Sequence, residues 1–247
     1  MIKLTRAAAP LYLTSEKVAE LTEKFKLTGQ SVWNDDNIKL PLLFSGNGKC
    51  AYCECPLTTE SNYMEVEHFE NKDRSPEKVV LWENLLPSCK KCNGAKGAHD
   101  VLVEPIVNPF VDDPREHIAL RFYRMKGKTP LGKSTIDVAN LNHSDRLVLS
   151  RFKVGEAVSD LIDTSWERFE KYQESRTTRA KNRLVNVVEG LLSECQPTAA
   201  YSASTATILL TDARFNELVF EMKEELIWSD TLDCLHNQAM SLVLECS

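Results

Sequence analysis

The spacing of apolar positions changes character along the chain. In the opening stretch "LTSEKVAELTEKFKL" the apolar residues fall at 13, 18, 21 and 25. That period predicts an amphipathic helix with Thr14 or Ser15 as its cap. "SGNGKC" at 45–50 is a turn signal. From 50 to 100 the pattern is short and broken. It predicts a strand around Tyr63–Phe69, a polar loop, the apolar run "VVLWENLLP", and a short helix that starts near Cys89–Asn93 and stops at Gly97. A proline-punctuated loop then leads into "IALRFY", a second strand candidate.

After Asn142 the pattern becomes helical and stays so, through Leu147, Phe152, Val158, Leu161, Ile162, Trp166 and Phe169. "CQPTAAYSAST" interrupts it, and two further helices are expected over 203–247. The expected class is α+β. The expected division is an N-terminal helical segment at 1–40, a mixed module at 41–135 and a helical domain at 136–247 suited to docking a partner.

Composition changes this picture little. Of 247 residues, 43% are hydrophobic and 27% charged, as in ordinary globular proteins. The longest apolar run, "AAAPLYL" at 7–13, is far too short to span a bilayer. Pro10 breaks that run and charged residues follow, which argues against a signal peptide. The expected location is therefore the cytoplasm, where thiols stay reduced and clustered cysteines mean metal or chemistry.

Charge changes it more. Thirty basic against 36 acidic residues give −6, and no half of the chain is strongly basic. A protein that grips nucleic acid unaided usually presents a basic surface, because phosphate neutralisation supplies most of the non-specific affinity. The local basic runs at Arg115–Lys133 and Lys171–Arg183 read first as solvated faces. If the substrate is a polyanion, a partner is expected to help hold it.

The candidate chemistry lies between Cys50 and Gly97. Cys50-x2-Cys53 and Cys89-x2-Cys92 enclose 35 residues, longer than a plain zinc ribbon. Each pair lets two thiolates converge from one tight turn, and two pairs complete a tetrahedral structural zinc site. Cys55 competes for the second position, so the choice between Cys53 and Cys55 stays open. Cys195, Cys234 and Cys246 stand alone and are expected to be small core residues.

The excursion carries "MEVEHFENK" and then "WENLLPSCKKCNGAKG". His68 is suited to general-base work. Glu67 and Asn93 offer oxygen donors to a hard divalent ion such as Mg²⁺ or Mn²⁺. One geometric objection arises, because neighbours on a regular strand point to opposite faces. Either the strand ends or bulges at that point, the bulge being the favoured expectation, or Glu65 and Glu67 lie together on a face away from His68. The competing reading is a zinc-knuckle adaptor that binds without cutting, which leaves His68, Asn84 and Asn93 unexplained.

The string "CAYCEC…EVEHF…WENLLPSCKKCNGAKG" resembles the cysteine-clamped branch of the HNH, or ββα-metal, endonucleases. By that resemblance His68 is the general base, Glu67 with Asn93 binds the catalytic ion, and Asn84 pins the loop carrying the base. The four cysteines bind structural zinc, and Lys96 approaches the phosphate backbone. His99, just after the short helix, is a candidate substrate contact on its position alone, against the reading as an exposed loop residue. Glu stands at 67 where Asp is more usual, and Asn stands at 93 where the final His is more usual. Both keep an oxygen donor.

Together with "MIKLTRAAAP", "VNPFVDDPREHI" and "STIDVANLN", these motifs are similar to the PtuB-like nuclease subunits of Septu antiphage systems, also found beside retrons. The resemblance implies a nuclease effector acting on DNA, or on a structured RNA such as tRNA. It also implies a PtuA-like ABC/SMC-type ATPase as partner and, in a retron setting, a reverse transcriptase with its msDNA.

Overall fold

The computed structural model describes residues 1–59 and 62–246, apart from the side chains of Thr59 and Asn62. The chain divides into two compact units. Met1–Ile118 with Lys126–Asn142 forms the first, and Ala119–Met125 with the chain from His143 onward forms the second.

In the first unit, helix α1 (Ser15–Thr28) starts where the Thr14 hydroxyl accepts the Lys17 amide, and it ends at Gly29. Gly29 has φ of 67°, and its N–H returns to the Phe25 carbonyl. This left-handed terminus is one that glycine adopts without steric cost. Leu21 and Phe25 of the expected stripe are buried. Helix α2 (Asp36–Ser45) tolerates Pro41 in its interior. Asp35 caps it, and Ile38 and Leu42 are fully buried. Tertiary burial here outweighs the backbone bond that proline removes.

The opening segment straps across this unit. Arg6 donates to the carbonyls of Trp82 at 2.7 Å and Leu85 at 2.9 Å. Its guanidinium also lies 3.9 Å from the Phe110 ring centre. Residues 1–40 are thus packed into the same unit as the cysteine module rather than standing as a separate segment.

Strands β1 (Thr58–Thr59), β2 (Asn62–His68) and β3 (Leu85–Cys89) form an antiparallel sheet in that order. Helix α3 (Lys90–Lys96) follows β3 directly, with the Cys89 sulfur accepting the Cys92 amide as its cap and Gly97 at its end. The β2–β3 register runs one-to-one from Met64–Cys89 to His68–Leu85. The bulge expected at Glu67–His68 is therefore absent, because every residue of β2 from Met64 to His68 has its own partner on β3.

Helix α4 (Pro114–His117) leads into β4 (Ile118–Arg121), which turns back as β5 (Arg124–Gly127). "IALRFY" is thus a strand only as far as Arg121. Phe122 and Tyr123, at φ of 45° and 64°, form the turn, a conformation that bulky residues rarely adopt. Helix α5 (Pro130–Val138) begins at the Thr129 cap, and its Thr135 hydroxyl accepts the Val107 amide at 2.7 Å. The boundary expected at 135/136 falls inside this helix, and the first unit continues to Asn142.

The second unit opens with a π-turn at Ser144–Val148. Helices α6 (Leu149–Ser175), α7 (Thr178–Ser193), α8 (Ser202–Leu210), α9 (Ala213–Glu224) and α10 (Asp230–Met240) follow, and then β6 (Glu245–Cys246). The long periodic stretch is two helices, because Arg176 turns left-handed at φ of 51° and Thr177 caps a new start. Beyond it stand three helices and a short strand, not two helices; Ser247 lies outside the described residues. Asp212 and Ser229 are the caps that divide them, each accepting an amide three residues on.

The centre of this unit is α8, whose Ser202 to Thr207, Leu209 and Leu210 are buried. Its Thr205 and Thr207 hydroxyls donate to carbonyls one turn back, so the apolar surroundings leave them satisfied. Strand β6 pairs in parallel with β4 through Ala119–Glu245 and Leu120–Cys246. Among the described residues no helix is long and apolar enough to cross a membrane.

Gly132, near the start of α5, has its α-carbon against α4: an added β-carbon would lie 1.9 Å from the His117 carbonyl oxygen. Backbone cannot yield there as a flexible side chain can. The Gly132→Ala variant is expected to lose about 2–3 kcal/mol of stability, seen as a lowered midpoint in urea unfolding.

Candidate active site and zinc cluster

The two CxxC turns come together in the first unit. Cys50 and Cys53 sit on a tight turn closed by the Glu54 amide on the Cys50 carbonyl and the Cys50 amide on the Cys55 carbonyl. Cys89 ends β3, and Cys92 lies in the first turn of α3. Sulfurs of Cys50, Cys53, Cys89 and Cys92 all lie within 4.8 Å of one another, fully buried. Cys53 and Cys89 sulfurs are 3.8 Å apart. A tetrahedron with Zn–S bonds of about 2.3 Å has edges of about 3.8 Å, so the donor set fits a structural zinc ion.

Cys53 thus belongs to the four, while Cys55 is buried outside them. Of the solitary cysteines only Cys195 is a core residue. Cys234 and Cys246 are exposed, contrary to expectation, because they fall on solvent-facing positions of α10 and β6. The turn itself is held by Glu54, at φ of 64°. Its carboxylate is buried between the Met1 ammonium and Lys49 Nζ.

Beside this cluster β2 and α3 form two matched rungs. Strand positions 65 and 67 share a face, and α3 presents Asn93 and Lys96, about one turn apart, to that face. Asn93 Nδ2 donates to Glu65 Oε2 at 2.8 Å. Lys96 Nζ lies 2.6 Å from Glu67 Oε1 and donates to the His68 carbonyl at 2.9 Å. The carboxylate that meets Asn93 is therefore Glu65, not Glu67.

Glu67 is 2% exposed and Lys96 3%. Burial pushes the Glu67 carboxyl up to about 7, while the Lys96 ammonium pulls it back down. The expected contact between Lys96 and a phosphate is corrected here, because the ammonium is enclosed and committed to Glu67 and the His68 carbonyl.

His68 leaves the strand on the other face. Its Nε2 lies 2.8 Å from the Val79 carbonyl, and its ring meets Trp33 edge-on at 4.6 Å between centres. A carbonyl oxygen only accepts, so Nε2 carries the proton and Nδ1 keeps its lone pair. Burial lowers the His68 pKa to about 4, which keeps the ring neutral at pH 7.

Asn84 fixes the loop between β2 and β3. Its Oδ1 accepts the Glu70 amide at 2.8 Å, and its Nδ2 reaches the carbonyls of Glu70 and Lys78 at 3.1 and 3.2 Å. All these partners are backbone atoms, so Asn84 is a positioning residue. His99 is not brought to the site; its Nε2 meets the Glu104 carbonyl at 2.8 Å.

His68, Glu65 and Asn93 line one cavity of about 480 Å³, joined by Lys72, Lys39 and Trp33. Sequence reasoning treated Glu65 only as a strand neighbour of Glu67 and did not select Lys72, Lys39 or Trp33. The period of two that pairs 65 with 67 was the one signal that pointed to Glu65. The arrangement brings an imidazole, a carboxylate and a side-chain amide to one cavity.

Residues 50–99 match the HNH endonuclease family, and the antiparallel pair, the following helix and the four thiols agree with it. The protein is an HNH nuclease. Over 231 residues it is 46% identical to the Septu protein PtuB of Bacillus thuringiensis, covering 93% of this chain and 90% of that one. It is also 28% identical over 206 residues to the Septu protein PtuB of Bacillus mycoides (strain KBAB4), covering 64% and 68%. The chain belongs to the PtuB family of Septu proteins.

Two outcomes follow from this geometry. Cys89→Ser is expected to lose bound zinc, read by metal analysis, and with it the cooperative unfolding of the first unit. Lys96→Met strands a buried carboxylate and is expected to cost about 3–5 kcal/mol in urea unfolding. The double variant Lys96→Met/Glu67→Leu is expected to recover most of that loss.

Proposed function

We propose that this chain hydrolyses phosphodiester bonds in nucleic acid, with DNA as the substrate, as the effector of an antiphage complex. The observation that carries the reading is that His68, whose Nε2 is engaged by the Val79 carbonyl, lines the same cavity as Glu65 and Asn93. Glu65 and Asn93 are the residues that would hold the divalent ion. A carboxylate and an amide oxygen side by side suit Mg²⁺ or Mn²⁺, which take oxygen donors and keep several waters. When bound, the ion supplies Lewis-acid stabilisation of charge at the phosphate.

His68 Nδ1 takes one proton from the attacking water. The new bond forms from water oxygen to phosphorus and the P–O3′ bond breaks; the leaving O3′ takes a proton from solvent, giving 5′-phosphate and 3′-hydroxyl ends. The Val79 carbonyl keeps the ring in the tautomer this step needs. Asn84 holds the loop that carries Val79 through the Lys78 carbonyl. Glu67, one rung deeper, serves Lys96 rather than the ion.

The acidic balance of −6 supports a partner that brings nucleic acid to the site, and a PtuA-like ABC/SMC-type ATPase is the partner proposed. Family membership and the charge both favour it.

The test incubates the chain, alone and with that ATPase, with Mg²⁺ on plasmid DNA and on total RNA, and maps the ends. His68→Ala is expected to lower the cleavage rate at least about a hundredfold with zinc content and melting unchanged. Glu65→Gln is expected to raise the metal concentration needed for half-maximal rate, and Glu67→Gln to act first on stability. Cleavage by His68→Ala at the parent rate removes the mechanism; cutting confined to RNA replaces DNA as substrate.

A further inference from the structure

A second hollow, of about 410 Å³, adjoins the first, and the two share Glu65, Lys72 and Asn93. Lys39 lines the first and Lys90 the second, so three ammonium groups are spread along one continuous trough. Neither Lys39 nor Lys90 has a carboxylate partner among the described residues. Lys72 approaches only the carboxylate of its neighbour Asp73, at 3.6 Å, and that side chain is 71% exposed. Lys72 also lies over the Trp33 ring, 5.8 Å from its centre. Ammonium groups spread along a groove, two of them without a carboxylate, are what a phosphate backbone needs.

Gly94 supplies an independent sign. It sits inside α3, where glycine costs about 1 kcal/mol relative to alanine, and it lines the second hollow. A β-carbon added there would meet nothing within 4 Å, so no packing within the protein requires its absence. A bare helix position facing open space beside a catalytic site is a place for another molecule to come close.

We propose that the nucleic-acid backbone runs through this trough and passes over Gly94. Lys72 contacts the phosphate at the junction, and Lys39 and Lys90 contact phosphates on either side. This rests on the nuclease reading above, and it moves the cationic contact from Lys96 to residues outside the family motif. Asp73 and Glu65 are the opposing charges in the trough. Asp73 is exposed enough to turn away, and Glu65 is the carboxylate assigned to the ion.

The experiment measures binding of a fluorescein-labelled duplex oligonucleotide by anisotropy at several salt concentrations, in the His68→Ala background so that nothing is cut. Lys72→Met and Lys90→Met are each expected to lower the slope of log affinity against log salt by about one. Lys72→Arg is expected to restore it. Gly94→Leu is expected to keep or raise the melting temperature while weakening binding at least about tenfold, because the side chain fills the path.

Unchanged slopes, parent-like binding by Gly94→Leu, or no saturable binding by the His68→Ala chain at low salt would overturn the proposal. Binding with these signatures alongside no cleavage by the parent chain, either alone or with the ATPase, would support the trough and defeat the nuclease reading instead.

Discussion

Four thiols within 4.8 Å of one another tie the start of the cysteine module to its end, and the rest of the site depends on that tie. The sheet beside them is small: β1 has two residues and β3 five. Strands this short are not stable alone in water. A zinc–tetrathiolate can contribute on the order of 10 kcal/mol to folding in small domains, more than so limited a sheet secures by packing. Because Cys89 caps α3 and Cys92 lies in its first turn, the same cluster fixes where the helix begins and which face it turns to β2. The active-site spacing is therefore set by the metal site, although none of the four cysteines lines the cavity.

The matched rungs between β2 and α3 divide two similar-looking acids into different tasks. Glu65 lies where the helix presents an amide and the cavity opens. Glu67 lies where the helix presents an ammonium and the surroundings close over both. A buried ion pair seldom adds much net stability over apolar residues of the same volume. Here Lys96 also donates to the His68 carbonyl, so the pair fixes the strand end from which the imidazole projects. Orientation, rather than stability, is what an apolar replacement would lose.

Much of the site was legible in the sequence because thiols and imidazoles announce their chemistry by spacing. CxxC repeated about one excursion apart marked the zinc set, and α3 began and ended where Cys89 and Gly97 indicated. What could not be read was direction. Glu67 precedes His68 in sequence and so looked like its partner, yet a regular strand sends the two to opposite faces. Lys96 was assigned to the phosphate backbone by resemblance alone, and only the helix register shows its carboxylate partner. Trp33 and Lys39 reach the cavity from outside the motif, a contact between segments that no local pattern encodes. In the helical unit, Arg176 and Asp212 end or start helices without glycine or proline, so periodicity ran through the first break, and the second helix boundary passed unnoticed.

Net charge and local charge act over different distances. Residues 1–100 hold 13 basic and 14 acidic side chains, close to neutral. Yet several of the acids face inward or are already paired: Glu54 with Lys49, Glu67 with Lys96, Glu70 with Lys78. Each such pair removes one cation as well as one acid from the outer surface, so burial alone leaves the balance near zero. What gives the site a positive character is distribution, with Lys39, Lys72 and Lys90 along one trough. At physiological ionic strength the Debye length is about 8 Å, so a phosphate in the trough is influenced mainly by those lysines and little by distant acids. A long polyanion approaching from outside meets the whole acidic molecule and gains little steering from it. On the proposed reading the chain would hold a phosphate backbone once delivered and would gather one poorly, which is the physical argument for the proposed partner.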